Sequence, residues 1–119
     1  MRNTTVAILA PAALSETTTG TGVNVAAFHG LVDVILASSA TGGAGQTAVV
    51  TLEHSDELSA NYTSAGVTFE TVTNAAASTQ AIAVNIDQLK KFVRAKVTLA
   101  GDTPAVTCGV LLSGKRNYA

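Results

Sequence analysis

The chain has 119 residues and a net charge of −1 at pH 7, with 13% charged residues, 4% aromatic residues and no tryptophan. This length suits one domain, and one cysteine with two histidines offers neither a disulfide framework nor a ligand cluster for metal or redox chemistry. The commonest residues are 21 alanines, 17 threonines and 14 valines. Such side chains favour a pleated sheet with a thin core, so we predict a β protein without a metal or cofactor.

The first predicted strand, Asn3–Ala10, carries apolar side chains on both faces and ends before a proline. Val6 and Ile8 would either join the domain's own sheet or pair with a neighbouring chain as an extended arm. We therefore assign residues 1–19 to a first strand or N-terminal arm and residues 20–119 to a single β domain. The apolar run is too short for a membrane span and fits a secretory signal poorly.

The central part of the chain alternates as strands do. Leu31–Ala37 is apolar on both sides except at Asp33, which predicts a strand that is covered on both faces, and His29-Gly30 predicts a turn before it. Polar residues make Ser55–Gly66 a predicted loop. In each of the remaining runs one face is set apart by alternation. These faces are formed by Ala48, Val50, Leu52 and His54, by Ile82, Val84 and Ile86, and by Val93, Ala95, Val97 and Leu99.

Near the C-terminus, Gly101-Asp102-Thr103-Pro104 has turn residues between two alternating runs, so the last two strands should form a hairpin. Asp87–Lys91 is the one segment that resembles a helical turn. About seven to nine short strands at roughly ten-residue spacing predict an all-β fold, an antiparallel β-sandwich or barrel of jelly-roll-like type, with one short helical turn near 87–91.

Charge is distributed unevenly along the chain. Residues 1–87 carry one arginine against seven carboxylates, a net charge of −6, whereas residues 88–119 carry six basic residues against one aspartate, a net charge of +5. This pattern fits electrostatic docking on a partner or on copies of the chain, and it also fits an ordinary solvated sheet. The absence of aromatic platforms argues against nucleic-acid binding. The basic candidates for partner binding are Arg94, Lys96, Lys115 and Arg116, beside the apolar candidates Val6 and Ile8.

The sequence contains two segments that resemble catalytic or nucleotide-binding motifs, but neither has the residues or the local structure that such a motif needs. Gly109–Arg116 approaches the phosphate-binding loop pattern, but its interior reads as a strand and an arginine replaces the hydroxyl residue that would hold magnesium. His54-Ser55-Asp56 contains the residue types of a catalytic triad, but adjacent strand residues point to opposite faces. Cys108 alternates with apolar residues and is predicted to be buried. We therefore predict that the protein is not an enzyme.

The second half of the chain resembles the decoration or cement proteins of tailed-bacteriophage heads. The resemblance covers residues 52–115, about half the chain, and it rests on turn and strand patterns. The segments that carry it are Leu52–Asp56, Gly66–Val72, Leu89–Ala95, Gly101–Ala105 and Val110–Lys115.

This resemblance implies a virion protein that is made in the host cytoplasm and coats the capsid surface. It implies binding to the major capsid protein of the phage shell, commonly as a homotrimer, with no catalytic residue and no nucleic-acid or membrane partner. Two alternatives remain open. A tail-tube or head–tail connector subunit would share the fold class, and a small carbohydrate-binding β-sandwich would need exposed aromatic residues such as Tyr62, Tyr118 or Phe28.

Overall fold

The computed structural model describes residues 2–101 and 105–116, and within them ten β-strands accompany one short 3-10 turn. The strands are β1 (Arg2–Leu14), β2 (Thr18–Thr19), β3 (Val23–Asn24), β4 (Phe28–Ser38), β5 (Thr47–Ser55), β6 (Thr63–Thr68), β7 (Val72–Thr73), β8 (Ser78–Asn85), β9 (Phe92–Ala100) and β10 (Val106–Arg116). The 3-10 turn spans Ile86–Gln88, close to the predicted helical turn. It follows Asn85, whose Oδ1 accepts a hydrogen bond from the backbone N–H of Asp87.

The strands form two antiparallel sheets. Sheet A has the strand order β1-β10-β4-β8, and sheet B has the order β2-β9-β5-β6, with β3 also paired to β9 and β7 also paired to β5. The two sheets bury their facing sides in one hydrophobic cluster. This arrangement confirms the predicted all-β fold and its sandwich form.

The core consists of the inward residues of both sheets. Sheet A contributes Val34, Leu36, Val110 and Leu112, and sheet B contributes the predicted inward residues Ala48, Val50, Leu52, Val93, Ala95 and Val97; each is at most 1% exposed. Val84 is also buried, whereas Ile82 remains half-buried. Because most of these side chains are valine and alanine, the core is thin, as the composition predicts.

The predicted hairpin between the last two strands is wrong. β9 pairs with β5 in sheet B, whereas β10 lies between β1 and β4 in sheet A. The connection after Gly101 therefore crosses from one sheet to the other, and the predicted turn residues Asp102–Pro104 lie outside the described residues. Alternation of apolar and polar residues shows which side of a strand faces the core. It does not show to which of the two sheets the strand belongs, because strands of both sheets alternate in the same way.

Two predicted breaks lie inside strands instead. β1 continues through Pro11 to Leu14, with irregular pairing to β10 between Leu9 and Ala12. An edge position with disturbed pairing tolerates a residue that has no N–H to donate. The predicted turn at His29-Gly30 lies within β4, where the left-handed backbone of Gly30 (φ +71°) accompanies a shift in the register with β10. Glycine adopts this conformation without steric cost.

β1 is an edge strand of sheet A, and its residues 2–14 pair antiparallel with β10. The predicted loop at 55–66 is shorter than expected because β6 already begins at Thr63. The division of the chain into an arm or first strand and a separate domain from residue 20 stays a prediction.

Candidate interaction surfaces

The glycines of the phosphate-loop-like segment have packing roles in β10. A Cβ added at Gly109 would lie 3.0 Å from Cγ of Pro11, and one added at Gly114 would collide with the side chain of Val32. Each glycine thus allows a neighbouring strand to approach closely. The resemblance to a phosphate loop is explained by sheet packing.

The triad-like residues also have structural contacts. His54 Nδ1 accepts a hydrogen bond from the backbone N–H of Lys90 at 3.2 Å. Ser55 is 1% exposed; its hydroxyl donates to the carbonyl of Ala60 and accepts from the N–H of Glu57. In the part of the chain that the structure describes, no group of three or more His, Cys, Asp or Glu residues could hold a metal ion.

Arg94 is engaged within the chain. Its Nε donates to Glu53 Oε1 at 2.8 Å, and its guanidinium carbon lies 3.8 Å from the ring centroid of Tyr62. The Tyr62 hydroxyl in turn donates to the carbonyl of Leu58 at 2.8 Å. Arg94 therefore fixes the loop formed by residues 56–62 on the outer face of sheet B.

The other predicted basic residues are distributed over both sheets. Lys96 is half-buried on the same strand face as Arg94, as alternation predicts, and lies opposite Thr51 in β5. Lys115 is exposed in sheet A, where it pairs with His29, and the side chain of Arg116 lies outside the described residues. The structure thus does not join the predicted basic residues into one patch.

A different basic group lies at one end of the sandwich. His29 lines one cleft together with Lys90 and Lys91, and a second cleft together with Lys115. All three lysines are exposed. We call Lys90, Lys91 and Lys115 the lysine cluster. The sequence already suggested that these lysines lie near one end of the domain together with Arg94, Lys96 and Arg116. Alternation alone could not separate them from Arg94 and Lys96, because Lys90 and Lys91 lie in the loop before β9 and Lys115 lies in β10 of sheet A.

The apolar candidates of β1 face the interior of the sandwich. Ile8 is 2% exposed and belongs to the core, and Val6 is half-buried against it. In the described part of the chain β1 pairs on one side only, with β10. A partner that docks on β1 without displacing it would therefore meet its outer backbone edge rather than these side chains.

The outer face of sheet A, the side turned away from sheet B, has an apolar centre. Ala7 pairs with Leu111, Leu111 with Ile35, and Ile35 with Ala81, so one apolar row crosses all four strands. Ala7 and Ala81 are exposed, while Leu111 and Ile35 are half-buried. We call these four residues the apolar row. The sequence indicated part of the apolar row, because Leu31–Ala37 carries apolar residues on both sides of the predicted strand.

A cleft of about 410 Å³ opens between β6 and β8, lined by apolar side chains and by a few polar groups such as His54 and Gln88. Phe28 and Tyr62, two of the aromatic residues that a sugar-binding site would need, do not line this cleft. Phe28 is 3% exposed, and one face of the Tyr62 ring is covered by Arg94. Tyr118 lies outside the described residues. These positions argue against the carbohydrate-binding alternative.

We expect Arg94→Glu to lower the free energy of unfolding by about 1–2 kcal/mol, because it removes the ion pair and the ring contact and places two carboxylates side by side. Lys96→Glu, on the same strand face, is the matched control and should have a smaller effect. Thermal denaturation of both variants measures this difference. Equal effects would show that the Arg94 contacts do not stabilise the loop.

Burial raises the pKa of the Cys108 thiol above its ordinary value. The folded state then holds this proton more tightly than the unfolded state, so the contribution to stability is complete below the ordinary thiol pKa of about 8.5 and is lost as pH rises through the folded-state pKa. We expect Cys108→Ala to flatten the decline of stability above about pH 8.5. A thiol reagent should label wild-type protein only after unfolding, and rapid labelling of the native protein would contradict this.

Comparison with known proteins identifies a related fold. No protein-family model matches the chain, and no curated protein matches its sequence. A chain in the structure of infectious bursal disease virus, Gx strain, superposes with a TM-score of 0.61 at 14% sequence identity. The match covers 94% of this chain and 31% of the viral chain, so this chain corresponds to less than a third of that protein.

The comparison defines the class of protein by fold alone: an antiparallel β-sandwich of a kind that also occurs in a virus structure. No helix among residues 2–101 and 105–116 is long and apolar enough to cross a membrane.

Proposed function

We propose that this chain is a non-enzymatic structural protein of a virus particle, and more specifically a decoration or cement protein on the outside of a tailed-phage head. In this role it binds the major capsid protein and stabilises the assembled shell. The observation that carries the proposal is the fold overlap with a chain of a virus structure, which extends over 94% of this chain.

The resemblance of residues 52–115 to decoration proteins supports the finer part of the proposal. Its first segment, Leu52–Asp56, is the end of β5 and the start of the loop at 56–62, and its last, Val110–Lys115, lies in β10. These segments belong to different sheets, so the resemblance spans the sandwich rather than one hairpin. The homotrimer that it implies stays a prediction.

The lysine cluster supports an electrostatic contact with the shell. Lys90, Lys91 and Lys115 are exposed around one end of the sandwich, whereas Arg94 already has a carboxylate partner. Exposed charges raise association rates, and their contribution is screened over about 10 Å at 0.1 M salt. An acidic surface on the major capsid protein is the partner that this cluster fits.

Co-sedimentation with undecorated shells of the same phage tests the proposal. We expect saturable binding by the wild-type protein, weaker binding at higher salt, and a further loss for the double variant Lys90→Glu/Lys91→Glu. Thr98→Lys, an exposed change on sheet B, serves as the control and should bind as the wild type does. Failure of the wild-type protein to co-sediment at any salt concentration would refute the proposal, and rings or tubes in negative-stain images would favour a tail or connector subunit.

A further inference from the structure

We propose that the outer face of sheet A is an interface with a second copy of this chain, in which the two sheets pack face to face. The inference does not depend on the proposed function, because it concerns the purified protein in solution, and it replaces the homotrimer that the resemblance implies with a dimer. It begins with β4, whose sequence is apolar on both sides from Leu31 to Ala37 except at Asp33.

A strand with this pattern is expected to be covered on both faces. Within one chain, β4 is covered on one face only. Val32, Val34 and Leu36 are at most 2% exposed, whereas Leu31 on the other side is 72% exposed and Ala37 is exposed. A single copy therefore leaves Leu31 and Ala37 exposed and Ile35 only half-buried.

The surface around β4 continues this character. The apolar row lies at its centre, and the neighbouring row consists of Gly109, over which Pro11 packs, and of Ala37 and Thr79, again paired across adjacent strands. The small side chains make the face flat enough for a second sheet to approach to about 10 Å, the usual distance between packed sheets. By contrast, the outer face of sheet B carries Arg94, Lys96 and Glu53 near its centre.

The size of the face suits a stable dimer. Sheet A has four strands, and its two central strands have 11 residues each. With strands about 4.8 Å apart and a rise of about 3.4 Å per residue, the face covers about 700 Å². A standard stable interface buries about 800 Å² on each partner.

The charges on this face are self-complementary. A two-fold axis parallel to the strands and midway between β10 and β4 places β4 of each copy over β10 of the other. Ile35 then lies over Leu111 of the second copy. Asp33, which pairs with Ser113 within the chain, lies near Lys115 of the second copy, two residues further along β10. The same symmetry repeats this contact on the other side of the axis, so two opposite-charge pairs lie side by side at one end of the apolar centre.

Sedimentation velocity of the purified protein over a range of concentrations tests the inference. We expect the wild-type protein to be a dimer and Leu111→Lys to raise the dimer dissociation constant at least about 100-fold, because an unpaired charge would enter the apolar centre. Thr98→Lys, on the outer face of sheet B, should leave the dimer intact. Both variants should keep a cooperative melting transition, and Leu111→Lys should match the wild type at concentrations where the wild-type protein is monomeric, since both side chains point away from the core.

A charge exchange tests the symmetry separately. Asp33 and Lys115 of one chain also line the same cleft, so the two single variants are tested separately and as a mixture. Asp33→Lys and Lys115→Asp should each weaken the dimer, and mixing the two variants should restore a mixed dimer, because opposite charges then meet across the axis while like charges remain within each chain. A wild-type monomer, a trimer insensitive to Leu111→Lys, or single variants without effect would each overturn the inference. So would a monomer whose Leu111→Lys variant loses only shell binding, since the face would then belong to the shell. Shell binding by a monomeric protein would leave the proposed function intact.

Discussion

Leu36→Ala is expected to lower the free energy of unfolding by about 2–5 kcal/mol, a large part of the stability of a small domain. Leu36 is 0% exposed at the centre of β4, in a core made largely of valines and alanines. Small β-branched neighbours reposition poorly, so they would leave much of the deleted volume as a cavity.

Leu31→Ala is the matched control on the same strand. Leu31 is 72% exposed, so its truncation should change stability by less than about 0.5 kcal/mol when the protein is dilute enough to be monomeric. Urea denaturation of both variants measures the difference. Similar effects of the two substitutions would show that the core of sheet A is not packed as described.

Deletion of residues 2–10 is expected to abolish cooperative unfolding. These residues pair with β10 and supply Ile8 to the core, so their removal would expose Val110 and Leu112, both 0% exposed in the intact chain. Calorimetry or circular dichroism during heating would show a broad change without a transition. A preserved cooperative melt together with poor shell binding would instead identify the segment as an arm that serves another chain.

Two point variants distinguish the contribution of the buried Ile8 side chain from that of the pairing of β1 with β10. Ile8→Asp places a carboxylate in the core and should destabilise the domain strongly, because a buried charge has no partner there. Ala10→Asp, on an exposed position of the same strand, should be tolerated. Equal tolerance of both changes would mean that β1 does not close the sandwich in solution.

Local patterns predicted the strands well and their partners poorly. The alternation in Val93, Ala95 and Val97 correctly identified the inward side of β9, since burial imposes a period of two on any strand with one covered face. The hairpin with β10 failed because turn residues at Gly101–Pro104 suit a crossing between sheets as well as a tight turn. Strand order depends on contacts between distant segments, which one sequence does not display.

For the candidate surfaces too, the sequence predicted which residues share a strand face but not which strands are neighbours. Alternation placed Arg94 and Lys96 on one face, but the ion pair of Arg94 with Glu53 requires β9 and β5 to be neighbours, which only the fold reveals. The lysine cluster likewise depends on β10 lying in the sheet opposite β9. The apolar outer side of β4 was visible in the sequence, because exposed strands seldom carry leucine and isoleucine on both faces.

The pairing of Arg2 with Arg116 in β1 and β10 places the two ends of the described chain beside each other, with the strands running in opposite directions. Tension applied at Arg2 and Arg116 would act across the two strands and would break the hydrogen bonds between β1 and β10 one after another, starting at that end. A force that pulled β1 and β10 past each other along their length would instead act on all the hydrogen bonds between them at once. A mechanical load is therefore better transmitted through the sheet faces than through Arg2 and Arg116.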